Sequence, residues 1–269
     1  MTGSAPTSDL SGWQKAPFSG AGMTYDCYEK GAGPGVVLIP EIPGLTPEVL
    51  GLGDHLVDEG FTVVIPSPFG KPGKPESMAY ALGVFARLCV RSEFGAFAVN
   101  AERPITKYLR AVAGDLAART PGRGVGVIGM CFTGGFALAT AVEDFVNAPV
   151  MSQPATPGPL GAKRRRDPGV SQQELSRIVE RSRTDGLCVL GMRFDHDPAV
   201  PAERFATLKA QLGDAFEVIE LDSGPGNAGG FSKRAHQVLT KEVRVEPSNP
   251  AHAARERTVA FLRQHISPT

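Results

Sequence analysis

The 269-residue chain is short of the features that mark several protein classes. It has no charge excess: 28 Lys and Arg balance 28 Asp and Glu, which leaves no electrostatic case for nucleic acid or an anionic membrane surface. No apolar run approaches the ~18 residues that would cross a bilayer. The opening stretch MTGSAPTSDLSGWQKAPFSG lacks the basic start and apolar middle of a secretory signal. Residues 1–20 are therefore expected to form a flexible tail, and 21–269 a single domain. Cysteine is scarce: Cys27, Cys89, Cys131 and Cys188 have neither metal-ligand spacing nor the density of a disulfide scaffold. They are expected to be reduced thiols in the cytoplasm.

What the chain does have is alternation of short apolar runs with helical patterns. GVVLIPEI (35–42), FTVVIPSPF (61–69), GVGVIGM (124–130), APVMSQ (148–153), GLCVLGMRF (186–194) and FEVIELD (216–222) read as strands. Helical segments lie between them. The clearest is 46–60, with a Thr cap, Pro at its first position and Gly past its end. Continuous Val/Ile/Leu strands alternating with helices predict an α/β fold, a mostly parallel sheet covered on both faces. MTYDCYEKG (23–31) alternates and is expected at a sheet edge. A Pro- and Gly-rich segment, 154–171, is too long for an ordinary connection and reads as a loop insertion. Its KRRR run (163–166) reads as a solvated face.

One turn stands out. Cys131 in IGMCFTGG (128–135) falls where a strand passes sharply into a helix among small residues, the setting of a nucleophile elbow. The alternative is a packed structural thiol. A thiol nucleophile needs a base and an orienting acid. Of five histidines, His55, His252 and His265 sit on or beside helices, and His196 adjoins two aspartates. His236 follows the last strand, where ligands meet a doubly wound sheet. Asp197, after strand 186–194, supplies the acid, with Asp195 as its rival. The order Cys131, Asp197, His236 places each group after a separate strand. Glu41, at the end of strand 35–42, is a further site candidate. Phe132 and Ile42 offer backbone N–H groups to an oxyanion. GPGNAG (224–229) fits a dinucleotide-binding pattern, but about 40 residues remain after it, too few for that fold. It is expected to be a flexible loop carrying His236.

Taken together, PEIPGLTP (40–47), IGMCFTGG, D-x-x-V-P (197–201) and AHQVLT (235–240) resemble the dienelactone hydrolase family of cysteine-dependent α/β-hydrolases. The resemblance implies an α/β-hydrolase fold and hydrolysis of a small ester or lactone, a carboxylic ester hydrolase working through a thioester on Cys131. His236 would be base, Asp197 its orienting acid, and Glu41 a carboxylate that helps deprotonate the thiol. No cofactor or metal is implied. The expected partner is a small-molecule ester, lactone or thioester, with no nucleic acid and no membrane. The chain departs from the pattern in two places. Thr133 stands where the elbow has Gly, which threatens to crowd the turn. Thr240 stands where an Arg would hold a substrate carboxylate; Arg91 is the candidate replacement. A non-catalytic ligand-binding protein of this fold is the alternative reading.

Overall fold

A computed structural model of the chain describes residues 4–156, 158 and 161–268. Eight strands form one sheet: β1 (Gln14–Gly20), β2 (Met23–Lys30), β3 (Gly35–Ile39), β4 (Thr62–Pro66), β5 (Val125–Met130), β6 (Val146–Ser152), β7 (Val189–Phe194) and β8 (Phe216–Leu221). Their order is β1-β2-β4-β3-β5-β6-β7-β8. β1 and β2 run antiparallel and the other six are mutually parallel.

The helices are α1 (Pro47–Asp58), α2 (Met78–Val90), α3 (Pro104–Arg119), α4 (Gly134–Thr140), α5 (Ala162–Arg166), α6 (Gln172–Thr184), α7 (Ala202–Leu212) and α8 (Pro250–Ile266). α1 starts as its sequence predicts: the Thr46 hydroxyl accepts from the Val49 N–H, and Pro47 opens the helix.

Every residue of β3, β4, β5 and β7 is buried, because both sheet faces are covered. Successive side chains point to opposite faces. Val37, Ile39, Val125 and Val127 join the core under α3 and α4. Val36, Leu38, Ile128 and Met130 join the core under α1 and α8. Among the described residues, no helix is long and apolar enough to cross a membrane.

The structure corrects the N-terminal expectation. Residues 14–20 are not a loose tail but β1, paired along its length with β2 from Gln14↔Glu29 to Gly20↔Met23. Just before it, Trp13 is buried against α1. β2 is therefore an inner strand, not an edge. Residues 1–3 lie outside the described residues. Within the 154–171 loop, the short α5 carries the KRRR run. It is not simply solvated: Arg165 pairs with Glu203 at 2.8 and 2.9 Å, and Arg164 donates to the Phe97 carbonyl. Residues 157, 159 and 160 of this loop lie outside the described residues. Its start is pinned by buried Arg204, which donates to the carbonyls of Pro154 and Asp167 and to the Thr156 hydroxyl.

Candidate active site

The parallel strands end in near register. Ile39 lies opposite Gly129, Met130 opposite Ser152, and Ser152 opposite Met192. Residues just past those ends, Glu41, Cys131, Gln153 and Asp197, consequently gather along the C-terminal edge of the sheet, where open α/β sheets bind ligands.

Cys131 has φ +54°, a left-handed conformation that L-residues adopt at a cost of about 1 kcal/mol or more. Its surroundings enforce it. A Cβ on Gly129 would lie 2.3 Å from the Thr133 carbonyl oxygen, and one on Gly134 would lie 2.7 Å from Pro154 Cβ. Thr133 does not crowd the turn. Its fully buried hydroxyl accepts from the Met130 N–H at 2.9 Å and faces the carbonyls of Met130, Ile39 and Pro40. It links the ends of β3 and β5. The turn then enters α4 through a single 3₁₀ turn, Cys131–Thr133, in whose first residues backbone N–H groups have no intrahelical partner.

His236 arrives from the chain after β8. The glycine-rich stretch before it is a built loop rather than a flexible one. The Asn227 side chain donates to the carbonyls of Gly224 and Phe231 and accepts from the Phe231 N–H. The Phe231 ring packs edge-on to Phe194 at 4.9 Å. His236 Nδ1 meets Asp197 Oδ2 at 2.5 Å; the histidine side chain is 26% exposed and the aspartate 2%. Asp197 Oδ1 accepts from the Ala199 N–H at 2.9 Å. Burial disfavours charge on the imidazole. The hydrogen bonds and negative charge of Cys131 and Asp197 outweigh it and hold His236 well above its ordinary pKa.

Asp195 belongs elsewhere. It accepts from the Ser223 N–H and hydroxyl and bonds His196, and although burial opposes the shift these contacts hold its carboxyl at about 2. Asp195, His196 and Asp222 bring ligand atoms within 4.8 Å of one another, but they are mostly exposed and bonded to their own surroundings.

Glu41 is buried. The Thr240 hydroxyl donates to one of its oxygens at 2.5 Å, and the Gln153 amide to the other at 2.9 Å. Burial pushes the carboxyl up to about 7, against the pull of these donors and of the nearby His236 charge. Gln153 is held in turn by the Ser152 hydroxyl and the Val238 N–H, both donating to its Oε1. Gln153 and Thr240 were not site candidates from sequence. A polar residue ending an apolar strand, as in APVMSQ, is the signal that could have found Gln153. Thr240 takes the position of the expected arginine and serves Glu41 instead.

The thiol opens on a cavity of about 320 Å³ lined by Ile42, Met78, Ala81, Leu82, Phe85, Phe132, Ala155, Thr156 and Ala199. Arg91 is not among them, which corrects its candidacy. It is held away by Glu93, the Tyr25 hydroxyl and the Pro68 carbonyl, and it lines a separate groove on the far side of α2.

A family model, described as the dienelactone hydrolase family, matches residues 23–266. The chain belongs to the dienelactone hydrolase family. Its fold is that of the α/β-hydrolases. A dienelactone hydrolase-like promiscuous phosphotriesterase from metagenomic libraries superposes with a TM-score of 0.62 at 16% identity, over 94% of this chain and 98% of that one. An α/β-hydrolase from Penicillium sp. sh18 gives 0.60 at 14% identity, over 94% and 99%. The thioesterase domain from the curacin biosynthetic pathway gives 0.54 at 10% identity, over 92% and 99%. Among curated proteins no relative matches. Membership of the dienelactone hydrolase family makes the chain a hydrolase.

Proposed function

We propose that the chain hydrolyses a small carboxylic ester or lactone through a thioester on Cys131. The observation that carries this reading is a cysteine in a left-handed turn at the end of β5, facing an imidazole that Asp197 holds from behind. The thiol gives its proton to His236, and the thiolate attacks the substrate carbonyl carbon. Charge passes to the carbonyl oxygen, where the N–H groups of Phe132 and Ile42 receive it. The tetrahedral adduct collapses, the C–O bond breaks, and the departing alkoxide takes the proton from His236. Water, deprotonated by His236, then attacks the thioester and returns the thiolate. Asp197 keeps the ring oriented and stabilises its cationic form. Glu41, with a carboxyl titrating near neutrality, is a second proton acceptor at the edge of the site. The cycle uses no cofactor or metal. A cytoplasmic setting belongs to this reading because the nucleophile must stay reduced.

The test is p-nitrophenyl acetate hydrolysis by wild type, Cys131→Ala and His236→Ala, with mass spectrometry of the quenched protein. An acetyl adduct on Cys131, and turnover lost in both variants, is expected. Turnover that survives Cys131→Ala overturns the proposal. Ligand retention without any adduct turns the reading to a binding protein of this fold.

A further inference from the structure

The wall of the cavity opposite Cys131 carries information about substrate. α2 presents Met78, Ala81, Leu82 and Phe85 to it, spaced so that they share one face of the helix. Ile42, Phe132 and Ala155 close the other side. Among the described residues, the one hydroxyl lining it, on Thr156, already accepts from buried Arg204. Among the described residues, no lysine or arginine lines the space. Cations near it are engaged elsewhere: Arg91 with Glu93 and Tyr25, Lys241 with Glu76 at 2.8 Å, and Arg103 and Arg204 with backbone carbonyls. At position 240, where the resemblance placed an arginine, a threonine bonds Glu41. Met78 and Leu82 remain 85% and 65% exposed, so the apolar surface continues out of the cavity onto the helix.

We propose that the subsite beside Cys131 takes an uncharged, apolar acyl chain, with α2 as the wall against which its length is measured, and that it rejects the carboxylate-bearing acyl groups for which the resemblance implies an arginine. This deepens the thiol-hydrolase reading and rests on it for the chemistry, though not for the binding. A carboxylate carried to the α2 wall would lose its water and meet no lysine or arginine among the described lining residues. Each added methylene would trade water for the side chains of Leu82, Phe85 and Met78.

The test compares p-nitrophenyl esters of acetic, butanoic and hexanoic acids with the p-nitrophenyl half-ester of adipic acid. Across the neutral series kcat/KM is expected to rise about fourfold per methylene. The half-ester is expected at least about 100-fold below hexanoate. Leu82→Arg, at an exposed position that tolerates the change, should narrow that gap about tenfold or more. A flat series, or a half-ester cleaved as fast as hexanoate, overturns the proposal while leaving Cys131 as nucleophile. Calorimetry on Cys131→Ala with octanamide and its ω-carboxylate analogue reads the subsite without chemistry. Octanamide is expected to bind at least about tenfold more tightly, and equal affinities or no octanamide binding overturn the proposal. Selective octanamide binding beside a wild type that forms no adduct would sink the thiol-hydrolase reading and leave the apolar subsite standing.

Discussion

The two walls of the cavity are built in opposite ways. The Cys131 turn is over-determined. It is squeezed by Gly129 and Gly134, which have no room for a Cβ, tied by the Thr133 hydroxyl, and backed by buried β5 and α4. α2, facing it, buries only Val84 and Leu88 and leaves Met78, Leu82 and Val90 in solvent. Its start rests on Ser77, whose hydroxyl accepts from the Tyr80 N–H. A nucleophile must be held within fractions of an ångström of its target, while a surface that measures acyl length need only be apolar and near. On the proposed chemistry, precision is concentrated on the wall that would react, and the other wall is free to vary.

The comparison can be broken most forcefully at the reacting wall. Cys131→Ala should lower esterase kcat by at least about 10³-fold in steady-state assays, since the residual rate would come from the oxyanion donors and binding alone. On α2, Leu82→Arg should lower hexanoate hydrolysis several-fold more than acetate hydrolysis, a split in selectivity read from the ratio of the two.

Thr133→Val keeps the shape but leaves the buried Met130 N–H without its acceptor. Denaturant unfolding should show a loss of about 1–3 kcal/mol. Leu82→Ser, on the exposed wall, should change stability by no more than about 0.5 kcal/mol in the same experiment. If the two changes cost the same, the contrast between the walls is wrong.

Glu41 gives a pH test of the reacting side. Its carboxyl ionises near 7 in the folded chain and near 4.5 when unfolded, so the folded state holds a proton that the unfolded state has released. That contribution is fully present below about pH 4.5 and is lost as pH rises through about 7. Glu41→Gln should flatten the fall in stability across that window, measured as midpoint against pH. An unchanged slope would mean that the carboxyl is not the titrating group.

The parallel half of the sheet was legible in sequence because its strands are buried on both faces and read as unbroken Val/Ile/Leu runs. β1 was not. QKAPFSG is exposed along most of its length and has no apolar rhythm; what holds it is backbone pairing to β2, which leaves no mark on side-chain pattern. The order of the proposed triad was legible for a related reason: Cys131 and Asp197 follow closely on strands the sequence declares, and His236 lies in the segment after the last of them. The clamp on Glu41 was hidden because its partners, Gln153 and Thr240, lie 112 and 199 residues away. Asp197 and Asp195 could not be separated by composition. The D-x-x-V-P motif favours Asp197, and the turn after β7, which aims Asp195 at Ser223 and Asp197 at His236, separates the two.

The chain's one tryptophan occupies an unexpected vantage point. Trp13 packs its ring against the glycine face of α1, where a Cβ on Gly53 would lie 2.8 Å from the indole, and Lys30 sits 5.8 Å over it. It belongs to the core under α1 and α8, while the apolar residues lining the Cys131 cavity that join a core join the one on the opposite face. Its fluorescence is therefore a private gauge of whether the first strand is docked. A label-free signal from the sheet's margin can be followed during unfolding while the thiol reports separately on the reacting edge.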